Sequence, residues 1–255
     1  MKETRYFYAP DVRTNNQLPP EEAAHCLRVL RLTEGDEIHL TDGRGSFFRA
    51  EITGTGGKHC LFRILEELPC PRAWAARLHL AVAPTKNIDR MEWLAEKATE
   101  IGFDELSFIF CRFSERRSVK TERIDKILVS AMKQSHKAEK PVLNEPEDFR
   151  HFVERPFAGQ KFIAHCYEEA DIETGEAQTA VSARKQSVGK PLLWDVLERG
   201  KDALVMIGPE GDFSVDEVRL ALSHGFCSVS LGRSRLRTET AALVAVHLMH
   251  LKNAF

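Results

Sequence analysis

The sequence predicts an α/β protein with two parts, a small β-rich region at residues 1–72 and a larger region at 73–255 built on a parallel sheet. Before residue 72, short apolar runs alternate with glycine turns, which is typical of a small barrel. After residue 75, five- or six-residue apolar runs alternate with amphipathic helices, which is typical of a sheet covered on both faces. Pro69-Cys70-Pro71 is the predicted linker.

The first region contains one predicted helix, Glu21–Leu32, and four predicted strands. The tetrapeptides Asp42-Gly43-Arg44-Gly45 and Gly54-Thr55-Gly56-Gly57 are turn signals that separate the later strands. The strands are Arg5–Tyr8, Glu37–Thr41, Ser46–Thr53 and His59–Leu65.

The second region alternates predicted strands and helices, with a long polar loop at 168–190. The strands are Leu78–Ala83, Leu106–Phe110, Lys161–Cys166, Ala203–Gly208 and Cys227–Leu231. The helices are 87–101, 121–138, 191–199, 215–224 and 239–252. The last helix is apolar on most faces, so we expect it to be buried in the core or in a subunit interface.

Composition excludes several classes of protein. With 36 Lys+Arg against 38 Asp+Glu, the net charge of −2 argues against indiscriminate polyanion binding. The longest apolar stretches, Ala203–Ile207 and Ala241–Met249, of which the second is interrupted by His247, are too short to span a membrane. The N-terminus lacks a signal-peptide core, so we expect a cytoplasmic protein. The six cysteines show no CxxC spacing, which predicts free thiols and no metal site.

Basic residues are nevertheless concentrated in one segment. Residues 112–140 contain nine Lys/Arg and four Asp/Glu. Such a cluster is either a solvated helix face or a surface that neutralises a phosphate backbone, and the charge pattern alone leaves both open.

Two glycine-containing segments follow predicted strands. In the first, 207–217, Ser214 and Glu217 form a capping box, while Gly208 and Gly211 would allow a ligand to approach the backbone. In the second, 230–241, three arginines lie within five residues, and Thr238 is a candidate helix cap. Helix initiation and a solvated loop are the structural alternatives to a ligand site.

Taken together, these two segments resemble the 16S ribosomal RNA uridine-N3 methyltransferase family (RsmE-type) of the SPOUT class. The matching motifs are Gly208-Pro-Glu-Gly211 and Leu231-Gly…Leu236-Arg-Thr-Glu-Thr-Ala241. Similar agreement is found at His25-Cys-Leu-Arg-Val-Leu-Arg-Leu32, Arg90-Met-Glu-Trp-Leu-Ala-Glu-Lys97, Glu115-Arg-Arg-Ser118 and Lys133-Gln-Ser135, so the resemblance covers essentially the whole chain. Asp212 and Arg235 depart from the family, which usually has glycine and isoleucine there.

The resemblance implies a homodimer with an N-terminal PUA-like RNA-binding barrel and a C-terminal domain containing a deep trefoil knot. It implies S-adenosylmethionine as the cofactor, small-subunit 16S rRNA as the substrate, and no metal. The cofactor-binding residues carried over are Ile207, Gly208, Glu210, Gly211, Ser230, Leu231, Gly232, Leu236 and Arg237.

Within this resemblance, Arg237 is the expected catalytic cation and Glu210 a second candidate, for proton handling. The expected RNA contacts are Arg28, Arg31, Arg116, Arg117, Lys133 and Lys137. Three alternatives stay open: a SPOUT methyltransferase acting on another RNA nucleotide, a non-catalytic RNA-binding protein of ribosome assembly, and an α/β enzyme acting on a small molecule.

Overall fold

The computed structural model describes residues 5–168, 172 and 189–255, so most of the predicted 168–190 loop lies outside the described residues. The chain forms two compact units. One contains Met1–Ala73 and Lys126–Lys140, and the other contains Trp74–Asp125 and Pro141–Phe255. Residues 126–140 thus belong with the first unit, which a single boundary at residue 72 does not anticipate.

The first unit contains a four-stranded sheet in the order β1-β2-β3-β4. Its strands are β1 (Tyr6–Tyr8), β2 (Glu37–Thr41), β3 (Ser46–Gly56) and β4 (His59–Pro69). β1 runs parallel to β2, and the other pairs are antiparallel. The predicted turn at 54–57 is mostly strand, because a register shift between Ile52 and Gly54 lets pairing continue to Gly56.

One helical segment precedes β2 in this unit. It consists of α1 (Pro20–Ala24) followed by a π-helical turn at His25–Val29. The predicted helix at 21–32 is therefore too long. Arg31 has a φ of +56°, and this left-handed backbone ends the helix. Buried side chains that include Phe7, Leu40 and Phe48 form the core of the unit.

The second unit contains a seven-stranded sheet in the order β11-β9-β10-β5-β6-β7, with β8 also paired to β6. Its strands are β5 (Leu78–Val82), β6 (Glu105–Phe110), β7 (Val142–Leu143), β8 (Glu147–Asp148), β9 (Gln160–Ala164), β10 (Ala203–Ile207) and β11 (Cys227–Val229). All the pairs are parallel, which confirms the prediction of a parallel sheet. Every residue of β5 and β10 is buried, as expected for central strands.

The remaining helices are α2 (Asp89–Ile101), α3 (Thr121–Gln134), α4 (Phe149–Glu154), α5 (Leu193–Val196), α6 (Val215–Ser223) and α7 (Thr238–Ala254). The prediction of a helix at 191–199 is too long, because the backbone becomes extended at Leu197. α7 packs against α2 and β5, and its buried residues include Ala242 and Val246. No described helix combines the length and apolar character needed to cross a membrane.

A buried polar network joins the amino ends of β5 and β6. His79 Nε2 lies 2.9 Å from Ser107 Oγ, and Asn144 donates to Glu105 Oε1 at 2.6 Å. The combination of serine, histidine and glutamate is that of a hydrolase triad, but Ser107 is fully buried and also accepts from Asn144. The network therefore holds the two strands together.

Candidate functional site

Three loops leave the same edge of the sheet in the second unit. They follow the adjacent strands β11, β9 and β10, at 230–237, 165–168 and 208–214. In an open parallel sheet this carboxyl edge is the usual place for a ligand. The structure thus brings both sequence-predicted segments to one edge, together with a third loop that the sequence analysis did not single out.

The loop after β10 is shaped by close packing at its first glycine. A Cβ at Gly208 would lie 3.0 Å from Phe213 Cδ2 and 3.1 Å from Phe213 N. Phe213 itself is fully buried. The glycine at 208 is thus needed for the packing of Phe213, whether or not a ligand also approaches it.

Glu210 is tied to the loop that follows β5. Its Oε1 accepts a hydrogen bond from Lys86 N at 3.0 Å. On the same segment, Arg116 donates to Thr85 O at 3.2 Å and to Lys86 O at 2.8 Å. The carboxylate and the guanidinium thus hold the segment through its N–H and its carbonyls, which favours a positioning role for Glu210 over proton handling.

Asp212 adopts the conformation that explains why glycine is usual at this position. Its φ is +66°, a region that side chains rarely adopt. Its carboxylate compensates by accepting hydrogen bonds from Cys166 N and from Phe213 N, both at 2.8 Å. Burial raises the pKa of Asp212, and Lys190 opposes that shift. Asp212 therefore links the loop after β10 to the loop after β9.

The loop after β11 begins with a buried serine. Ser230 N and O form 2.9 Å hydrogen bonds with Pro191 O and Leu193 N, and its Oγ contacts Gly232 N at 3.2 Å. Gly232 has a φ of +123° and open space where a Cβ would stand. Leu231 and Leu236 are half-buried, whereas the three arginine side chains of the loop are exposed.

The α7 helix starts differently from the prediction. Arg237 occupies the N-cap position and Thr238 is the first helical residue, with no side-chain cap. Thr238 as a cap is therefore wrong. By contrast, the predicted capping box of α6 is confirmed, because Ser214 N donates to Glu217 Oε2 at 2.8 Å and Ser214 Oγ accepts from Glu217 N.

Arg237 also borders a groove of about 490 Å³ between α2 and the start of α7. The groove is lined by Asp89, Arg90, Trp93, Arg237, Glu239 and Thr240. Trp93 is 44% exposed, whereas Glu239 is only 8% exposed. Sequence reasoning missed Trp93, since an aromatic residue on an amphipathic helix is usually a core residue, and it did not single out Glu239.

The six predicted RNA-binding residues fall in both units. Arg28 lies in the π-helical turn and Arg31 just after it; both side chains are exposed, and neither has a polar partner in the described part of the chain. Lys133 pairs with Glu22 at 2.5 Å. Lys137 is half-buried in the same unit.

The other two predicted RNA contacts, Arg116 and Arg117, lie in the second unit. Arg116 makes the carbonyl contacts already described, and Arg117 donates to Arg112 O at 3.1 Å. Of the six cationic side chains, those of Arg28 and Arg31 thus make the fewest hydrogen bonds and ion pairs with the described part of the protein.

His165, in the loop after β9, predicts a pH-dependent stability. Burial, reinforced by the Lys190 ammonium, lowers the pKa of His165 to about 3. Since the unfolded side chain titrates near 6.5, this site favours folding above that pH, and its contribution falls as the pH drops toward 3. We expect a loss of about 2.5 kcal/mol from this residue between pH 7 and 4.5.

Urea unfolding of the His165→Asn variant across that pH range measures the effect. The variant should show a shallower pH dependence than the unmodified chain. The matched change at the exposed His247, His247→Asn, should leave the slope unaltered. An equal slope in all three proteins would contradict the assignment.

Among the described residues, no group of three or more His, Cys, Asp or Glu side chains is arranged to hold a metal ion. All six thiols are free. Burial and the neighbouring Asp212 raise the pKa of Cys166 to about 11, so this thiol is a poor nucleophile.

Comparison with known proteins gives a consistent result. An RNA methyltransferase domain matches residues 72–250, and an RNA methyltransferase PUA domain matches residues 18–65. Ribosomal RNA small subunit methyltransferase E of Rickettsia conorii is 26% identical over 98% of this chain and 96% of its own.

Solved structures of RNA methyltransferases are also similar to this chain over nearly its whole length. A probable rRNA methyltransferase from Porphyromonas gingivalis is 43% identical, with a TM-score of 0.85 and 98% of both chains covered. Ribosomal RNA small subunit methyltransferase E of Neisseria gonorrhoeae, solved with S-adenosyl methionine, is 25% identical, with a TM-score of 0.75 and 98% of both chains covered. The chain therefore belongs to the RNA methyltransferase family represented by ribosomal RNA small subunit methyltransferase E.

Proposed function

We propose that this chain transfers the methyl group of S-adenosylmethionine to N3 of a uridine in the 16S rRNA of the small ribosomal subunit. The observation that carries the proposal is the meeting of the Gly208–Gly211 and Ser230–Arg237 loops at one edge of the sheet, in a chain whose relatives are small-subunit rRNA methyltransferases.

The residues at this edge fit such a cofactor. Leu231 and Leu236 are half-buried apolar side chains suited to an adenine ring, and Gly232 has open space beside its backbone. We assign Ile207, Gly208, Glu210 and Gly211 to one wall of the pocket. The other wall is formed by Ser230, Leu231, Gly232, Leu236 and Arg237. When bound, S-adenosylmethionine supplies an electrophilic methyl group on a positively charged sulfur.

Uridine needs help from the protein to react at N3. This nitrogen carries a proton, and its loss leaves negative charge shared with O2 and O4. Arg237 is exposed at the start of α7, so its guanidinium is available to stabilise that charge. Because N3 lies on the Watson–Crick edge, the base must also be unpaired when it reacts.

We assign RNA binding first to the N-terminal unit, as a PUA-like barrel. Its four-stranded sheet and its match to a PUA domain support the assignment. The proposal extends to a trefoil knot in the second unit, a homodimer and a cytoplasmic location, where ribosomal subunits are made. Size-exclusion chromatography with light scattering tests the dimer.

Neutralising Arg28 and Arg31 should weaken RNA binding and reduce its salt dependence. Each lost phosphate contact lowers the slope of log K against log salt by about 0.7–0.9. We expect the double variant Arg28→Gln/Arg31→Gln to lower the slope by about 1–2 in filter-binding titrations. The matched control, Arg63→Gln on β4, should leave it unchanged. An unaltered slope in the double variant would remove this pair from the interface.

Methyl transfer to small-subunit particles, followed by nucleoside mass spectrometry, tests the activity directly. We expect 3-methyluridine. Another methylated nucleoside would support the alternative of a different target nucleotide. RNA binding without any binding of S-adenosylmethionine in calorimetry would support a non-catalytic assembly protein.

A further inference from the structure

We propose that the groove between α2 and α7 receives the target uracil, with Glu239 as the group that takes the N3 proton and Trp93 as the surface on which the base stacks. This inference rests on the proposed function and identifies Glu239 as the general base that the reaction requires. It is carried by three observations on the groove: an unpartnered carboxylate oxygen, an exposed indole and a neighbouring arginine.

The carboxylate of Glu239 is buried and lacks a hydrogen-bond donor, among the described residues, for one of its oxygens. Its side chain is about 90% buried, and its Oε1 lies 3.7 Å from Arg90 Nη1, beyond hydrogen-bond distance. Its Oε2 is buried and has no hydrogen-bond partner in the described part of the chain. A buried carboxylate oxygen without a donor costs free energy, and an incoming N–H group would remove that cost.

Trp93 supplies a stacking surface on the same groove. Its side chain is 44% exposed, although Met91, Leu94 and Ala95 on the same helix are buried in the core. An unpaired base that leaves its stack in RNA is commonly held against an aromatic ring. The groove volume of about 490 Å³ accommodates a single pyrimidine with room for its ribose.

The charges on the groove suit the reaction. Glu239 takes the proton from N3, and the N3 electron pair then forms a bond to the methyl carbon. The sulfur–methyl bond breaks with its electrons remaining on sulfur, and the proton leaves the carboxyl group to water. Arg237, on the same groove, stabilises the charge that develops on the uracil oxygens.

The central test is the Glu239→Gln variant, which keeps the shape of the side chain and removes its basicity. We expect kcat at pH 7 to fall about 100-fold or more, as for loss of a general base. The difference in kcat between Glu239→Gln and the unmodified enzyme should become smaller as the pH rises, because uracil N3 then loses its proton to solvent without a general base. Affinity for S-adenosylmethionine and the melting temperature should stay close to those of the unmodified enzyme.

The Arg90→Gln variant distinguishes a catalytic role of Glu239 from a structural role as the partner of Arg90. If Glu239 only pairs with Arg90, the two variants should lose activity equally and without a pH-dependent recovery. If Glu239 is the base, Arg90→Gln should lose far less than Glu239→Gln. Glu96→Gln, an exposed carboxylate elsewhere on α2, should retain full activity.

Trp93 provides a measurement that does not depend on turnover. Trp93→Ala should weaken binding of the substrate RNA about tenfold, as expected for one lost stacking contact, whereas Trp93→Phe should largely preserve it. If the unmodified chain forms no 3-methyluridine, the proposed function fails. If it forms this product while Glu239→Gln keeps its kcat and Trp93→Ala keeps its RNA affinity, the groove assignment fails and the function stands.

Discussion

Replacing Arg237 with alanine should lower kcat about 100- to 1,000-fold, the loss typical of removing one donor that stabilises developing negative charge. Arg237 is the exposed N-cap residue of α7 and lines the groove in which we place the uracil. Its contribution should be greatest when N3 has lost its proton, so the affinity for S-adenosylmethionine, whose pocket Arg237 also borders, should fall by far less than kcat.

Single-turnover methylation and calorimetry separate these two quantities. Arg233→Ala is the matched control, since Arg233 is an exposed arginine of the same loop that does not line the groove. We expect this control to remain active. Equal losses of rate and of cofactor affinity in Arg237→Ala would show that Arg237 only binds the cofactor.

Replacing Phe213 with alanine should lower the free energy of unfolding of the second unit by about 3–5 kcal/mol. The phenyl ring is fully buried, packs against Phe149 with ring centroids 5.5 Å apart, and fills the space next to Gly208. Truncation leaves a cavity directly beneath the loop after β10. We therefore expect cofactor affinity to fall along with stability.

Urea denaturation followed by far-UV circular dichroism measures the loss. Phe255→Ala removes the same number of atoms from a side chain that is 81% exposed, and should change the stability by less than about 1 kcal/mol. Comparable effects at the two positions would contradict the packing role assigned to Phe213.

The central strands of the second unit could be predicted because buried strands consist mostly of apolar residues. β10 is an uninterrupted apolar run and β5 is apolar except for His79, and such short runs between helices indicate central parallel strands. β7 and β8 escaped prediction since two residues carry no periodicity. The length of β3 was also missed, because glycines that signal a turn are tolerated at a bulge.

The functional site was predicted as two motifs, but their surroundings were not. Gly208 and Arg237 belong to recognisable segments, whereas the contact of Glu210 with Lys86 joins residues that are far apart in sequence. The exposure of Trp93 likewise depends on which elements pack beside α2. Sequence periodicity predicts which face of a helix is apolar and cannot predict where that face is left uncovered.

The carboxylate of Glu217 has a consequence for ligand binding. Besides its bonds to Ser214, it accepts a hydrogen bond from Arg112 N at 2.7 Å, which ties the segment that contains Arg116 and Arg117 to the start of α6. If RNA displaces that segment, the displacement reaches the loop after β10. Coupling between two binding equilibria is reciprocal, so RNA would then change the affinity for the methyl donor by the same factor as the methyl donor changes the affinity for RNA.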